Sequence, residues 1–245
     1  MLELFGKAIL DFQTNNNPEN IITQTPISDS DEMNIAYLFR DFNKMPKLEQ
    51  KALQLANGKV LDVGCGAGSH SLYLSETKKL EVLSIDISRN SIKACELRGV
   101  KNAKAINILD LDANVEKFDT ILLLMNGTGI FETISKTKKY FDKLKSLLNK
   151  NGQILIDSSD LIYMYDEDEI EEIKNSEKYY GEIDFTIQYK NEPEKPIPWL
   201  YLDFLTLEKL ALKSGFVCKK LIEGENYDYL AQITLLDLNK EYSTL

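Results

Sequence analysis

One stretch gathers a carboxylate, alternating glycines and the chain's single histidine: Asp62-Val63-Gly64-Cys65-Gly66-Ala67-Gly68-Ser69-His70. Glycine permits backbone angles and close ligand approach that a side chain would block. The apolar run Lys59 to Val63 leads into the loop, and a helical stretch follows it. The first amides of such a helix carry partial positive charge. In an open parallel sheet, ligands bind in the crevice at the carboxyl ends of the strands. Asp86 ends the next apolar run, Leu80 to Ile85, and a carboxylate there can accept both hydroxyls of a ribose. Dinucleotide folds place their glycines as Gly-x-Gly-x-x-Gly, with a pyrophosphate on the helix terminus. Here the last glycine comes one residue early, and Asp62 precedes the first by two. An acid at that place is unhelpful to a pyrophosphate and suits a free ammonium group. The spacing therefore points to an amino-acid-bearing nucleoside before NAD. The bland alternative is a purely structural turn.

The elements that would hold this loop are legible as alternation. Further apolar runs stand at Ala105 to Leu109, Thr120 to Met125 and Gln153 to Ile156. Helical stretches separate them, from about Ser69, from Arg89 to Arg98 with Gly99 as a stop, and from Thr133 to Leu148. Continuous apolar strands between helices imply a parallel sheet covered on both faces. After residue 157 the texture changes. Asp166 to Glu172 is almost wholly acidic, Glu182 to Lys190 alternates like an exposed strand, and Asn191 to Pro198 is turn-like. A short helix near Leu207 to Ser214 precedes two strands, Phe216 to Glu223 and Asp228 to Leu236, joined by Gly224-Glu225-Asn226. That pair must be antiparallel. Residues 1–50 read as two amphipathic helices around a polar loop, with Leu2, Phe5, Ile9 and Phe12 on one and Ile35, Leu38, Phe39 and Phe42 on the other. We expect one domain over 1–245: a helical cap (1–50), a cofactor-binding core (51–157), and a substrate-side insertion with closing strands (158–245).

Composition narrows the partners. The 245 residues hold 29 Lys plus Arg against 39 Asp plus Glu, a net charge of −10. A polyanion-binding surface shows a basic excess, so nucleic acid and anionic membrane are poor partners. The longest uncharged stretches, Val63 to Ser75 and Thr120 to Phe131, are too short to span a bilayer. Glu3, Lys7 and Asp11 interrupt any signal-peptide core. The three cysteines, Cys65, Cys95 and Cys218, suggest neither a disulfide framework nor a zinc site, so a cytoplasmic location and no metal are expected.

The sequence resembles the class I S-adenosylmethionine-dependent methyltransferases. Val60 to Gly68 matches their first motif and Leu83 to Ser88 the second-strand motif. Phe118 to Gly127 matches the fourth-strand motif, and Leu147 to Ile156 the fifth. The resemblance covers about residues 50–157 and, more loosely, the last two strands. It implies an α/β fold with a seven-stranded, mostly parallel sheet in the order 3-2-1-4-5-7-6. Strand seven would be antiparallel and helices would cover both faces. It implies S-adenosyl-L-methionine as cofactor. Asp62 and Gly64 would lie near its amino-acid portion, with Cys65 inside the loop, and Gly66 and Gly68 would let the backbone approach the nucleoside. Asp86 would bind the ribose, Ile87 would pack on the adenine, and Asn126 would face the methyl group. Asp110, with Asp112 and Asn107 as rivals, would contact the adenine amine.

A sulfonium methyl is already electrophilic, so the protein supplies alignment and a dry site. In-line positioning alone lowers such a barrier by roughly 7–11 kcal/mol. No dedicated base is required, and no catalytic residue is assigned. His70 could serve as one; its plainer reading is a first-turn helix residue. Cys65 could be a reactive thiol, or simply a small residue that fits. Substrate contacts are expected from Tyr37, Arg40, Tyr163 and Trp199, with Thr128, Asp157 and Tyr201 as further candidates. An arginine in a pocket would imply a carboxylate or phosphate on the substrate. The acidic run and the lysines at 136, 138, 139, 143 and 145 read as wet helix faces. The Asn/Asp-Pro-Pro-Tyr motif of base-amine methylation is absent after strand four, where the chain reads Met125-Asn126-Gly127-Thr128-Gly129. The expected reaction is methyl transfer to a small molecule. Alternatives are a non-catalytic binding module, a protein methyltransferase and an NAD-dependent oxidoreductase. The oligomeric state is not legible.

Overall fold

The computed structural model describes residues 3–114, 117–176, 178–193 and 195–237. The chain opens with α1 (Glu3–Thr14), the hairpin β1 (Ile21–Thr25) and β2 (Ser28–Met33), and α2 (Lys47–Leu55). Then come β3 (Lys59–Val63), α3 (Ser69–Leu72), β4 (Glu81–Asp86), α4 (Arg89–Arg98) and β5 (Ala103–Ala105). The second half of the core is β6 (Phe118–Leu123), α5 (Ile134–Leu147) and β7 (Leu148–Ser159). After it stand α6 (Glu167–Asn175), β8 (Glu182–Tyr189), β9 (Glu192–Pro193), β10 (Ile197–Leu200), α7 (Phe204–Lys213), β11 (Phe216–Glu223) and β12 (Asp228–Leu235).

The main sheet has seven strands in the order β11-β12-β7-β6-β3-β4-β5. Strands β5, β4, β3, β6 and β7 run parallel, and β12 is antiparallel to both β7 and β11. This is the expected strand order. The period-two geometry of a strand sends alternate residues to opposite faces, and both faces are apolar. Leu61, Val63, Ile121, Leu123, Ile154 and Ile156 pack under α5 and α7. Val60, Leu122, Leu155 and Leu230 pack under α2 with Leu48, Ala52 and Leu53. Because the parallel strands point the same way, Val63, Asp86, Leu123 and Ser159 all end on one edge. That edge carries the site.

A second, antiparallel sheet runs in the order β10-β8-β1-β2, with β9 paired to β8. This corrects the reading of residues 1–50 as a helical cap. Among the described residues before Lys47, only α1 forms as an α-helix. The polar loop holds the β1–β2 hairpin, and Ile35–Phe39 and Phe42–Lys44 are short 3-10 turns. Arg40 between them is extended, at φ −63° and ψ 147°, which breaks the helical run. Strand β2, Ser28-Asp29-Ser30-Asp31-Glu32-Met33, is exposed up to its last residue, so no hydrophobic alternation marks it. Strand β8 is not an exposed edge either, because β1 and β10 pair with its two sides. Its residues Ile183, Ile187 and Tyr189 are buried. Tyr189 and Ile187 join α1, Ile21 and Ala67 of the glycine loop in one apolar cluster.

The acidic run folds as α6, capped by a reciprocal pair: Asp166 accepts from the Glu169 amide, and Glu169 accepts from the Asp166 amide. On α5, Lys136 pairs with Glu132 and Lys138 with Asp142, as expected of a wet face. Among the described residues no helix is long and apolar enough to cross a membrane. None of their His, Cys, Asp and Glu side chains form a group of three suited to a metal ion.

Trp199 of β10 ties the second sheet to the turn after β6. A Cβ added at Gly129 would lie 2.0 Å from Trp199 Cε2. Overpacking of this kind destabilises by about 1–3 kcal/mol, and each kcal/mol lowers Tm by roughly 2–4 °C at this size. Gly129→Ala should therefore lower Tm in a thermal melt by a few degrees or more. The same change in a Trp199→Ala background should cost much less; equal losses in the two backgrounds would refute the contact.

Candidate functional site

The glycine loop bends sharply at the carboxyl end of β3. Gly64, Gly66 and Gly68 all have positive φ, at 73°, 52° and 80°. The Ile85 carbonyl accepts from the amides of Gly64, at 2.8 Å, and Cys65, at 3.0 Å, so β4 holds the start of the bend. Asp86 holds its middle: Oδ2 accepts from the Gly66 amide at 3.0 Å, and Oδ1 accepts from the Ser88 amide at 2.8 Å. Burial raises the Asp86 pKa, and these two amides pull it back only in part.

The glycines have different reasons for being glycine. A Cβ on Gly66 would meet nothing nearer than Ile9, at 3.9 Å, and one on Gly64 nothing nearer than Ile130, at 3.4 Å. Neither is forced by close packing, and Gly64 is exposed and Gly66 half-buried. Gly68 is buried, and its Cβ would strike Cys95 Sγ and Val100 Cγ2, each at 2.9 Å. Its role is close packing against α4, where ligand approach had been expected. Gly68 also caps α3, and Ser69 donates its hydroxyl to the Leu38 carbonyl at 2.7 Å.

Asp62 lies beneath the bend and is 2% exposed. Its Oδ2 accepts from Ser71 Oγ at 2.6 Å, and Ser71 Oγ lies 2.6 Å from Ser84 Oγ. Burial raises its pKa, and among the described residues it has no ion-pair partner. Ile87, next to Asp86, is 40% exposed, an apolar side chain beside the crevice. Asp110 is exposed at the end of a 3-10 turn, Ile108–Asp110. Of its rivals, Asn107 accepts from the Leu109 amide and Asp112 from the Asn114 amide. Cys65 is buried, 3.9 Å from Cys95 Sγ. The hydrogen bond with Cys95 and burial push its pKa well up, the setting of a small buried thiol that packs.

At the end of β6 the chain turns through two consecutive left-handed residues, Met125 (φ 66°) and Asn126 (φ 58°). Asn126 Oδ1 accepts from Ser159 Oγ at 3.1 Å. The turn rests on Asp157, whose oxygens accept from the Met125 and Gly127 amides, each at 3.0 Å. Asp157 is 8% exposed. Burial pushes its pKa up to about 7, opposed by the two amides and reinforced by the charge of Glu49.

Arg40, Glu49 and His70 form a buried chain of charge at the same edge. Arg40 donates through Nη2 to Glu49 Oε1, and through Nη1 to the Tyr37 carbonyl at 2.6 Å. The Tyr37 ring lies 3.8 Å from the guanidinium carbon. His70 Nε2 lies 2.7 Å from Glu49 Oε2. Burial opposes charge on His70, but Glu49 and Asp62 outweigh it and raise its pKa. Burial likewise works against the Glu49 carboxylate, yet His70 and Arg40 lower its pKa. His70 is thus more than a first-turn residue. Arg40, expected to take a substrate anion, already has its counter-charge in Glu49. Glu49 itself escaped notice. Its signal was a carboxylate on the apolar face of α2, in line with Met45, Ala52, Leu53 and Ala56.

The other substrate candidates are dispersed. Tyr163 is 48% exposed and stacks on Tyr227 at 4.8 Å. Trp199 packs on Gly129 and lies 5.8 Å from Phe185, which makes it a wall of the second sheet. Thr128 is buried, donating to the Leu200 carbonyl at 2.9 Å.

These features suit S-adenosylmethionine. Two buried carboxyls, Asp62 and Asp86, two glycines that no packing partner crowds and the exposed apolar Ile87 stand together at one edge of the sheet. Comparison with known proteins agrees. A family model described as a methyltransferase domain matches residues 54–234. A crystal structure of a SAM-dependent methyltransferase from Bacteroides fragilis, in complex with S-adenosyl-L-homocysteine, is similar with a TM-score of 0.87 and 43% identity. The match covers 96% of this chain and 95% of that one. An uncharacterised protein of Rickettsia prowazekii is 37% identical over 107 residues, 40% of this chain and 41% of that protein. Phosphoethanolamine N-methyltransferase 1 of Triticum aestivum is 31% identical over 104 residues, 38% of this chain and 20% of the wheat protein. Each of these two curated matches thus spans less than half of the relative's length. The chain belongs to the methyltransferase domain family, with the class I Rossmann-like fold and the cofactor crevice of the S-adenosylmethionine-dependent enzymes.

Proposed function

We propose that the chain transfers the methyl group of S-adenosylmethionine to a small molecule at the edge shared by β3, β4, β6 and β7. The observation that carries this reading is the pairing of a buried carboxyl, Asp86, with open glycine backbone at Gly64 and Gly66. In this reading Asp62 and the Gly64–Cys65 backbone take the amino-acid portion of the cofactor. The buried Asp62 carboxyl gains the counter-charge it lacks, which offsets the penalty of an unpaired buried charge. Asp86 accepts from the ribose hydroxyls through lone pairs not used by Gly66 and Ser88. Ile87 packs on the adenine, and Asp110 lies within the adenine end of the crevice. Asn126, on its left-handed turn, borders the methyl group. When bound, the cofactor supplies an electrophilic methyl carbon; the chain's residues hold it in line and keep water out.

A small acceptor is supported by how the edge is covered. The second sheet presents Phe185, Ile187 and Trp199 beside the glycine loop and the turn after β6. The packing of this sheet on the loop and the turn walls one side of the edge. The wheat relative carries the name of a small-molecule methyltransferase, which fits the same reading.

Incubating the chain with labelled S-adenosylmethionine and parallel panels of small molecules and peptides tests it. S-adenosylhomocysteine should form with a small molecule; formation with peptides alone would overturn the small-acceptor reading. The cofactor contacts are tested by calorimetry. Losing hydrogen bonds to a charged acceptor costs about 1.5–3 kcal/mol each. Asp86→Ala should therefore weaken S-adenosylhomocysteine by roughly tenfold or more. An unchanged dissociation constant would refute the ribose assignment. Affinity in the parent protein should also fall on acidification, since the carboxylate form is needed and burial raises the Asp86 pKa.

A further inference from the structure

Arg98, the last residue of α4, is not needed to close its own helix. Gly99 does that: it is left-handed, at φ 93°, and donates its amide to the Glu96 carbonyl at 3.0 Å. Among the described residues Arg98 forms no ion pair, and burial lowers its pKa. Its donors go elsewhere. Nη1 donates to the Ala67 carbonyl and to Ser69 Oγ, the latter at 3.1 Å. Ser69 in turn donates to the Leu38 carbonyl at 2.7 Å. The guanidinium carbon stands 4.7 Å from the centroid of the Phe39 ring, a cation beside an aromatic face. One side chain thus meets the exit of the glycine bend, the first residue of α3 and the 3-10 turn Ile35–Phe39.

The start and the middle of the bend are held from β4, by the Ile85 carbonyl and by Asp86. The exit is held differently. Ala67 is 3% exposed, so its carbonyl cannot turn to water and needs a donor. Arg98 is that donor. The peptide unit is planar, so fixing this carbonyl also fixes the amide of Gly68 that follows. The same nitrogen orients the Ser69 hydroxyl, which holds the turn that carries Tyr37 and leads into Arg40. Resting on the methyltransferase reading, we propose that Arg98 is a positioning residue. It couples the cofactor loop to the turn Ile35–Phe39, so that filling the crevice and ordering that turn favour one another. Such a coupling is reciprocal by thermodynamic necessity. A packing role would need only the apolar stem of the side chain, whereas this coupling needs the donor Nη1.

The test uses the full chain and S-adenosylhomocysteine. Arg98→Met keeps the apolar stem and removes the donor. Arg98→Lys restores a donor, and one nitrogen suffices because Nη1 makes both bonds. In calorimetry Arg98→Met should bind S-adenosylhomocysteine roughly fivefold or more weakly than the parent, and Arg98→Lys should recover most of that loss. A methionine variant that binds as tightly as the parent, or a lysine variant no better than methionine, would overturn the proposal. Hydrogen exchange reads the coupling itself. In the parent, saturating S-adenosylhomocysteine should slow exchange several-fold across residues 34–44. In Arg98→Met and in Ser69→Ala, equally saturated, most of that slowing should be lost. Slowing that persists in either folded variant, or that is missing from the parent, would also overturn it. Ser69→Ala deletes a single hydroxyl and serves should Arg98→Met fail to fold. A parent that binds no S-adenosylhomocysteine would instead strike the methyltransferase reading itself.

Discussion

One carboxylate sets the geometry of the crevice. Asp86 grips Gly66 through one oxygen and Ser88 through the other, so the glycine bend, the end of β4 and the start of α4 are fixed to a single group. A bend through successive left-handed glycines is entropically expensive. It holds here because the Ile85 carbonyl and Asp86 satisfy its amides from outside, and because Gly68 is wedged against Cys95 and Val100. The loop is therefore ordered by the protein's own contacts, and a ligand that lands on it need not supply that ordering.

The parallel part of the fold was readable from residues because each strand is buried on both faces. Continuous apolar runs, glycine stops and a short turn before the last strand left few topologies open, and the strand order follows from the resemblance they carry. The second sheet was not readable for the opposite reason. Strand β2 is a polar, exposed edge with no alternation. Strand β9 is two residues long, and β10 contains Pro198. Such strands exist by pairing with β8, and pairing partners distant in sequence leave no local mark. The same logic explains Arg40: its apolar neighbours suggested a pocket, whereas its partner, Glu49, sits nine residues on and reaches it only through the break in the 3-10 turns.

Within the site, the residues found from sequence are those on which backbone shape depends. Gly64, Gly66, Asp62 and Asp86 occupy fixed positions relative to a strand end, so spacing reveals them. Glu49, His70 and Asp157 work through contacts among α2, α3 and β7. Their meaning depends on tertiary placement, which charge and spacing alone do not encode. Trp199 shows the limit from the other side: a lone tryptophan after a proline-rich loop fits a substrate contact or core packing equally, and only the fold seats its ring against Gly129.

The charge balance at this edge has a consequence for turnover. Asp62, Asp86, Glu49 and Asp157 bring four carboxyls, and Arg40 and His70 are both committed to Glu49. The site is thus short of positive charge when empty. A sulfonium cofactor carries a positive charge that its thioether product lacks. Under the proposed reading, the buried carboxyls favour the cofactor before transfer over the product after it, because the counter-charge of the sulfonium disappears with the methyl group. The loss of that charge relaxes the hold of a low-dielectric, acidic edge on the thioether, so the electrostatics that bind the cofactor also loosen it once transfer is complete.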